Sequence, residues 1–153
     1  MTKTKDEVIS TINSLIEISK DGQEGFNAAA ERVSDLETKN LFYHYSQQRG
    51  QFVSELQAAV RQLGGDPERS GSMAGAMHRG WINLKSAIMG NDEHAVLAEC
   101  ERGENSALTN YKSAIEKGLP ATVSTVIRRQ YDAMKQAHDR IRTLRDRTLG
   151  AKA

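Results

Sequence analysis

Apolar residues recur every three or four positions along four long segments of the chain, and this spacing constrains the fold more than any other feature. In the first segment the recurring positions are Val8, Ile12, Leu15, Ser19, Gln23, Phe26, Ala30 and Val33. Steps of three and four place side chains on one face of a helix, whereas a half-buried strand needs strict alternation. No stretch alternates over enough residues to predict a strand. The sequence therefore predicts an all-α protein.

Residues that favour helix starts mark where the predicted helices begin. Thr4-Lys-Asp-Glu7 and Ser34-Asp-Leu-Glu37 both fit a capping box, in which a hydroxyl and a carboxylate satisfy unpaired amides of the first turn. Asn91-Asp-Glu93 fits an N-cap followed by acidic residues, which the helix dipole favours. Pro120 suits the first turn of a last helix. Each of the four long helices thus has a recognisable N-terminal signal.

Glycines mark where the helices stop, because glycine accepts the left-handed conformation that follows a helix C-terminus. Gly64-Gly65 ends the second helix, Gly90 ends a shorter segment, and Gly118 ends the helix after it. The predicted long helices span about 5–33, 35–63, 92–117 and 120–148, and the short one spans about 72–89. A chain of 153 residues is long enough for one domain, so we expect a single domain over 1–153.

The connections between the helices predict the topology. Four helices of about 26–30 residues are each roughly 40 Å long, and tight turns join them into two antiparallel hairpins. The segment 64–91 is too long for a simple turn, but it is long enough to travel most of the bundle. These features predict a ferritin-like four-helix bundle with a helical crossover between the second and third long helices. An up-down-up-down bundle with a fifth helix on its end is the alternative.

Charge and composition exclude several classes of function. The formal net charge is +1, so no overall field attracts nucleic acid or an anionic membrane, and we expect neither as a partner. No secretory signal and no run of 18 apolar residues is visible, which favours a cytoplasmic location. A single cysteine excludes an internal disulfide framework. That residue, Cys100, lies in an apolar stripe, so we expect a buried and inert thiol.

Polar residues interrupt the apolar stripes, one on each long helix. They are Gln23, Gln48, Glu104 and Gln130, with His138 at the edge of the last stripe. Counted from the helix midpoints, Gln23, Gln48, Glu104 and His138 fall within about 6 Å along the bundle axis, with Gln130 toward the other end. Buried polar groups need partners, since an unsatisfied one costs about 1–3 kcal/mol. We interpret these residues as a hydrogen-bonded interior layer that fixes the register of the helices.

Three stretches suggest a family. Asp21-Gly-Gln-Glu-Gly-Phe26, Gly71-Ser-Met-Ala-Gly-Ala-Met-His-Arg-Gly-Trp81 and Glu99-Cys-Glu-Arg-Gly-Glu104, together with Tyr111, resemble an uncharacterised proteobacterial four-helix-bundle family. That family is a domain of unknown function in the ferritin-like superfamily, and the resemblance covers about residues 6–148. A more distant likeness to rubrerythrin and ferritin rests on Gly103-Glu104 followed by Tyr111, and on His138.

At several positions where rubrerythrin-like proteins carry metal ligands, this chain has other residues. Gly22-Gln23, Arg49-Gly-Gln-Phe52 and Lys135-Gln-Ala-His138 stand where rubrerythrin-like helices carry Gly-Glu, Glu-x-x-His and Glu-x-x-His. The resemblance therefore leaves Glu104 and His138 as candidate metal ligands. Further carboxylates for such a site are Glu24, Glu55 and Glu101. Neutral amides bind iron poorly, so we expect a degenerate di-iron site and no cofactor, with iron as the alternative.

The function predicted from these observations is that of a non-catalytic bundle acting through protein association, with a homo-oligomer, of which a dimer is the simplest, as the expected form. His78, Arg79 and Trp81 are the candidate interface, since Trp and Arg are enriched at interface hot spots. Trp81 has a second interpretation, in which it seals the crossover against the bundle. A setting in stress response is implied by the ferritin-like resemblance alone. The alternative function is a di-iron-type protein, either an oxidase or an iron-storage protein.

Overall fold

The computed structural model describes residues 4–67, 81, 89–90 and 92–152 of the chain. This part contains four α-helices, which are α1 (Lys5–Ala30), α2 (Leu36–Gln62), α3 (Glu93–Glu116) and α4 (Ala121–Lys152), and within it no residue forms a strand. The all-α class predicted from the apolar spacing is confirmed. None of these helices holds an apolar stretch long enough to cross a membrane.

Contacts at the two ends of the bundle establish the helix directions. The side chain of Asn13, early in α1, donates to the backbone carbonyl of Asp66, just after α2, at 3.3 Å. The Glu93 carboxylate, at the start of α3, accepts from the backbone N–H groups of Ser34 and Asp35 in the α1–α2 turn. We call these the Asn13 end and the Glu93 end of the bundle. Since α2 ends at the first and α3 begins at the second, α2 and α3 run in the same direction.

This arrangement gives an up-down-down-up bundle. The segment that joins α2 to α3 starts at the Asn13 end and finishes at the Glu93 end, so it crosses the length of the bundle. The predicted crossover is thereby confirmed, and the up-down-up-down alternative is excluded. Within this segment Trp81 and Met89 have helical backbone. The rest of the helix predicted at 72–89 lies outside the described residues.

The helix ends agree with several of the predicted signals. The Thr4 hydroxyl accepts from the backbone N–H of Glu7 at 3.1 Å, as the first capping box requires. Gly64 and Gly118 follow α2 and α3 with φ of 80° and 70°, a region that favours glycine. At α3 the N-cap is Asp92, one residue later than predicted, and its carboxylate accepts from the N–H of His94 at 3.0 Å. The other helix limits lie within four residues of the predicted ones.

The second helix begins one residue later than the capping box predicts. Asp35, and not Ser34, is the N-cap of α2, since its carboxylate accepts from the Thr38 N–H at 3.0 Å and from the Thr38 hydroxyl at 2.7 Å. The Ser34 N–H bonds to Glu93 instead, and α1 already ends at Ala30. The carboxylate of Glu37, which the capping box required, pairs with Arg140 of α4.

Two apolar cores fill the bundle, one toward each end. The core at the Asn13 end contains Ile12, Leu15, Leu56, Ile127 and Met134 among its buried residues. The core at the Glu93 end contains Phe26, Phe42, Leu97, Cys100 and Ile141. Along every helix the two cores meet near the middle, and buried polar side chains lie at this junction. The fold thus places charged and hydrogen-bonding groups between two apolar layers.

Candidate functional site

A buried ion pair lies at the junction of the two cores. Arg49 of α2 and Glu104 of α3 each have about 1% of their side chain exposed. The two terminal nitrogens of the Arg49 guanidinium donate to the two carboxylate oxygens of Glu104, with 2.8 Å between Nη2 and Oε2. A bidentate pair of this kind matches the planar fork of the guanidinium to the carboxylate, which makes it stronger than a single neutral hydrogen bond.

Two aromatic rings and a glycine surround the Arg49 side chain and suit a planar cation. Its guanidinium carbon lies 5.3 Å from the ring centroid of Phe26 and 5.6 Å from that of Phe52. Gly22 of α1 leaves room for the side chain, because a Cβ at that position would lie 3.3 Å from Cγ of Arg49. Aromatic faces attract cations through their quadrupole, so the two rings compensate part of the lost hydration. The charge is therefore buried among groups that favour it.

A chain of hydrogen bonds next to this pair connects all four helices. Ser19 of α1 and Tyr111 of α3 lie 3.0 Å apart through their hydroxyls, and the Tyr111 hydroxyl donates to Oε1 of Gln130 at 2.8 Å. Nε2 of Gln130, on α4, donates to Glu55 of α2 at 3.0 Å. Since Tyr111 has one hydroxyl hydrogen, Ser19 must be the donor to Tyr111. We call Ser19, Tyr111, Gln130 and Glu55 the polar layer.

The surroundings of the polar layer keep Tyr111 protonated and set the orientation of Gln130. Burial raises the pKa of Tyr111 well above its ordinary value, an effect that the hydrogen bond to Ser19 only partly opposes, so the phenol remains a donor. The amide of Gln130 also donates to the backbone carbonyl of Phe52 at 3.4 Å. At the surface, Glu55 pairs with Arg129. These bonds link all four helices, and of the residues predicted for the interior layer only Gln130 takes part in them.

A second cluster lies at the edge of the α3–α4 contact. The carboxylate of Glu101 is 7% exposed and forms an ion pair with Arg145 at 2.5 Å. Nε2 of His138 lies 3.6 Å from the other oxygen of Glu101, and Nδ1 of His138 lies 3.2 Å from Asp139. This cluster joins α3 to α4 near the Glu93 end and is separate from the polar layer.

The structure brings only part of the predicted interior site together. Gln130 and Glu104 are fully buried, Gln48 and His138 are partly buried, and Gln23 is exposed. The interior placement of Gln23 is therefore wrong. Gly22 occupies the inward position of that turn, one residue or about 100° round the helix from Gln23. Gln130, which the helix midpoints place toward the other end, bonds to Tyr111 and Phe52 of the core at the Asn13 end.

The residues present do not fit a di-iron centre. Both oxygens of Glu104 accept hydrogen bonds from Arg49, whose positive charge would repel a metal ion there. Glu24 is exposed, Glu55 bonds to Gln130, and Glu101 pairs with Arg145. Among the residues that the structure describes, no three His, Cys, Asp or Glu side chains gather closely enough to hold a metal ion.

Trp81 lies across the first and third helices. A Cβ on Gly25 of α1 or on Gly103 of α3 would lie 2.6 Å from atoms of its ring, and the Phe26 ring meets it nearly edge-on at 5.3 Å between centroids. The two glycines thus form a seat for the partly buried indole. These contacts agree with the interpretation in which Trp81 seals the crossover. His78 and Arg79, the other candidate interface residues, lie outside the described residues.

Cys100 is expected to be unreactive in the folded protein. Its side chain is fully buried, and burial raises the pKa of the thiol well above its ordinary value, with Glu104 and Glu99 raising it further. At neutral pH we expect the thiol of the native protein to react with a disulfide reagent at least about a hundredfold more slowly than that of the unfolded chain. Because the chain has one cysteine, the absorbance of the released thiolate reports this residue alone. Equal native and unfolded rates would contradict the expected burial.

Residues 7–117 match the model of a protein family that is described as a domain of unknown function, DUF2383. The matched part contains nearly all of α1, the whole of α2 and α3, and with them the buried pair and Trp81. It leaves out α4, which contributes Gln130 to the polar layer. No curated protein matches the chain.

Proposed function

The chain belongs to the DUF2383 family, a domain of unknown function, and from this premise we propose that it is a non-catalytic helical bundle that acts through protein association. The observation that carries the proposal is the Arg49–Glu104 pair at the junction of the cores. There, Arg49 neutralises the fully buried carboxylate of Glu104. A catalytic bundle centre would instead leave such a carboxylate available to a metal or a substrate.

The connectivity supports a distant ferritin-like origin for this bundle. One long crossover and an up-down-down-up order are features of ferritin-like folds. At the ligand positions that the rubrerythrin resemblance implies, this chain carries Gln23, Arg49 and Lys135. We therefore propose a degenerate di-iron site, in which the fold has been kept and an internal ion pair has replaced the metal.

The exposed apolar side chains support association through the Glu93 end of the bundle. Leu36 and Met89 are 67% and 76% exposed. Leu36 begins α2 beside the turn that bonds to Glu93, and Met89 precedes Glu93 by four residues, a reach of at most about 14 Å. Tyr43, which is 38% exposed, follows Leu36 by seven residues on the same face of α2. Contiguous exposed apolar surface marks association sites. Because these three side chains lie toward one end of the bundle, we propose a homodimer that uses them.

Elemental analysis and native mass, measured on one sample purified without chelator, test the proposal. We expect no stoichiometric metal and a mass of twice the 16.9 kDa chain. Two tightly bound irons per chain, lost in Glu104→Ala, would overturn the non-catalytic proposal in favour of a di-iron protein. A monomer at every concentration examined would overturn the homodimer.

Leu36→Lys locates the interface. A lysine ammonium at an apolar contact has to be desolvated, so we expect this variant to dissociate to the monomer. Gln62→Lys adds the same charge at the exposed opposite end of α2 and is expected to leave the dimer intact. Equal dissociation of both variants would place the interface elsewhere.

A further inference from the structure

We infer that the space around Arg49 is a cation site selective for a planar guanidinium group, and that the protein fills this site from its own chain. This inference concerns the interior of the bundle and holds whether or not the protein associates. In this site Arg49 is the bound cation and Glu104 is its anionic partner. Phe26 and Phe52 form the aromatic walls, and Gly22 forms the cradle.

The chemistry of the site selects an organic cation over a metal ion. Glu104 offers two oxygens at the spacing of two guanidinium N–H groups. Phe26 and Phe52 present rings within 6 Å of the guanidinium carbon, and such rings attract a cation without supplying a lone pair for coordination. A metal ion needs several oxygen, nitrogen or sulfur ligands, whereas a guanidinium group pairs with one carboxylate through two N–H groups and favours flat aromatic surfaces.

The cradle also selects the shape of the cation. The Gly22 position leaves little spare room, because a Cβ there would lie 3.3 Å from Cγ and 3.6 Å from Nη1 of Arg49. Replacing Arg49 by Ala would remove the cation and keep the carboxylate and both rings. The inference therefore predicts that the variant binds guanidinium from solution.

The test follows the thermal unfolding of Arg49→Ala during titration with millimolar guanidinium or methylguanidinium. We expect the melting temperature of the variant, corrected for the effect on wild type, to rise by about 2–4 °C. Urea has nearly the same shape without the charge and is expected to give no rise, and sodium chloride at matched ionic strength none either. Wild type, whose site is filled, is expected to show no stabilisation by either guanidinium compound.

Three outcomes would overturn the inference. One is an equal rise in the melting temperature of Arg49→Ala with urea and with guanidinium, which would show that binding does not depend on charge. Another is stabilisation of Arg49→Ala by Co²⁺ beyond that by guanidinium, which would make the site a metal site. The third is a rise in wild type as large as in the variant, which would place the binding elsewhere. None of these depends on metal content or native mass, so failure here is distinct from failure of the proposed function.

Arg49→Lys keeps the inference testable if the alanine variant does not fold. Lysine preserves the charge but cannot form the bidentate contact with Glu104, so we expect a melting temperature several degrees below that of wild type. Arg129→Lys makes the same exchange in the ion pair with Glu55, where Arg129 is 56% exposed, and is expected to change the melting temperature little. An equally small change in both variants would show that the site needs only a charge.

Discussion

Replacing Arg49 by Met is expected to destabilise the folded protein by about 3–5 kcal/mol, because the substitution leaves the carboxylate of Glu104 buried without a counter-charge. Both residues of the pair are about 1% exposed, so water cannot replace the lost guanidinium without opening the bundle. Methionine has an unbranched side chain of similar length, which keeps the packing against Phe26 and Phe52 nearly intact. The free energy of unfolding, measured by urea denaturation and circular dichroism, gives the result directly.

The double variant Arg49→Met with Glu104→Met separates charge from packing. When both charges are removed, no group is left uncompensated, and we expect most of the lost stability to return. Arg140→Met is the matched control, since Arg140 and its partner Glu37 are 39% and 57% exposed and their pair contributes at most about 1 kcal/mol. If Arg49→Met costs no more than Arg140→Met, or if the double variant is as unstable as the sum of the two single ones, Glu104 is not buried as described.

The all-α class and the crossover could be predicted from the sequence because they depend on local spacing and on chain length. Helical spacing requires only the apolar residues of one segment, and a segment of some 30 residues between two helices is too long for a turn. The N-cap of α2 could not be predicted to the residue. Ser34 and Asp35 are both good N-caps, and the choice depends on Glu93, which lies 59 residues away and binds the Ser34 N–H.

The interior site was only half predictable, for a related reason. Glu104 and Gln130 interrupt apolar stripes, so their burial follows from the pattern. Arg49 lies four residues after Tyr45 and three before Phe52, on the same buried face, but an arginine is normally exposed unless it has a buried partner. That partner lies 55 residues away, on a parallel helix. A glycine adds nothing to a hydropathy pattern, so the pattern points to Gln23 although Gly22 is the residue that faces inward.

Because Trp81 packs on Gly103, we expect Gly103→Ala to change the stability of the protein in opposite directions with and without the indole. In the wild-type chain, Gly103→Ala is expected to destabilise the protein by about 1–3 kcal/mol, since the new Cβ would lie 2.6 Å from the indole Cζ2 and the ring would have to shift. In the Trp81→Ala background the ring is absent, and the same change is expected to stabilise by about 1 kcal/mol, because alanine is the better helix former. The two effects together form a double-mutant cycle.

Gly50→Ala is the control for that cycle. A Cβ at Gly50 would meet only the amide end of the Gln23 side chain, which is exposed and can move aside, so this change is expected to be neutral or stabilising in both backgrounds. Tryptophan fluorescence gives a second measurement, since the chain has one tryptophan and an indole displaced from its seat emits at longer wavelength. If Gly103→Ala stabilises the wild-type chain and leaves the emission unchanged, Trp81 does not rest on Gly103. A reversal of sign at Gly103 without one at Gly50 would show that the Trp81 indole packs directly on α3 at Gly103.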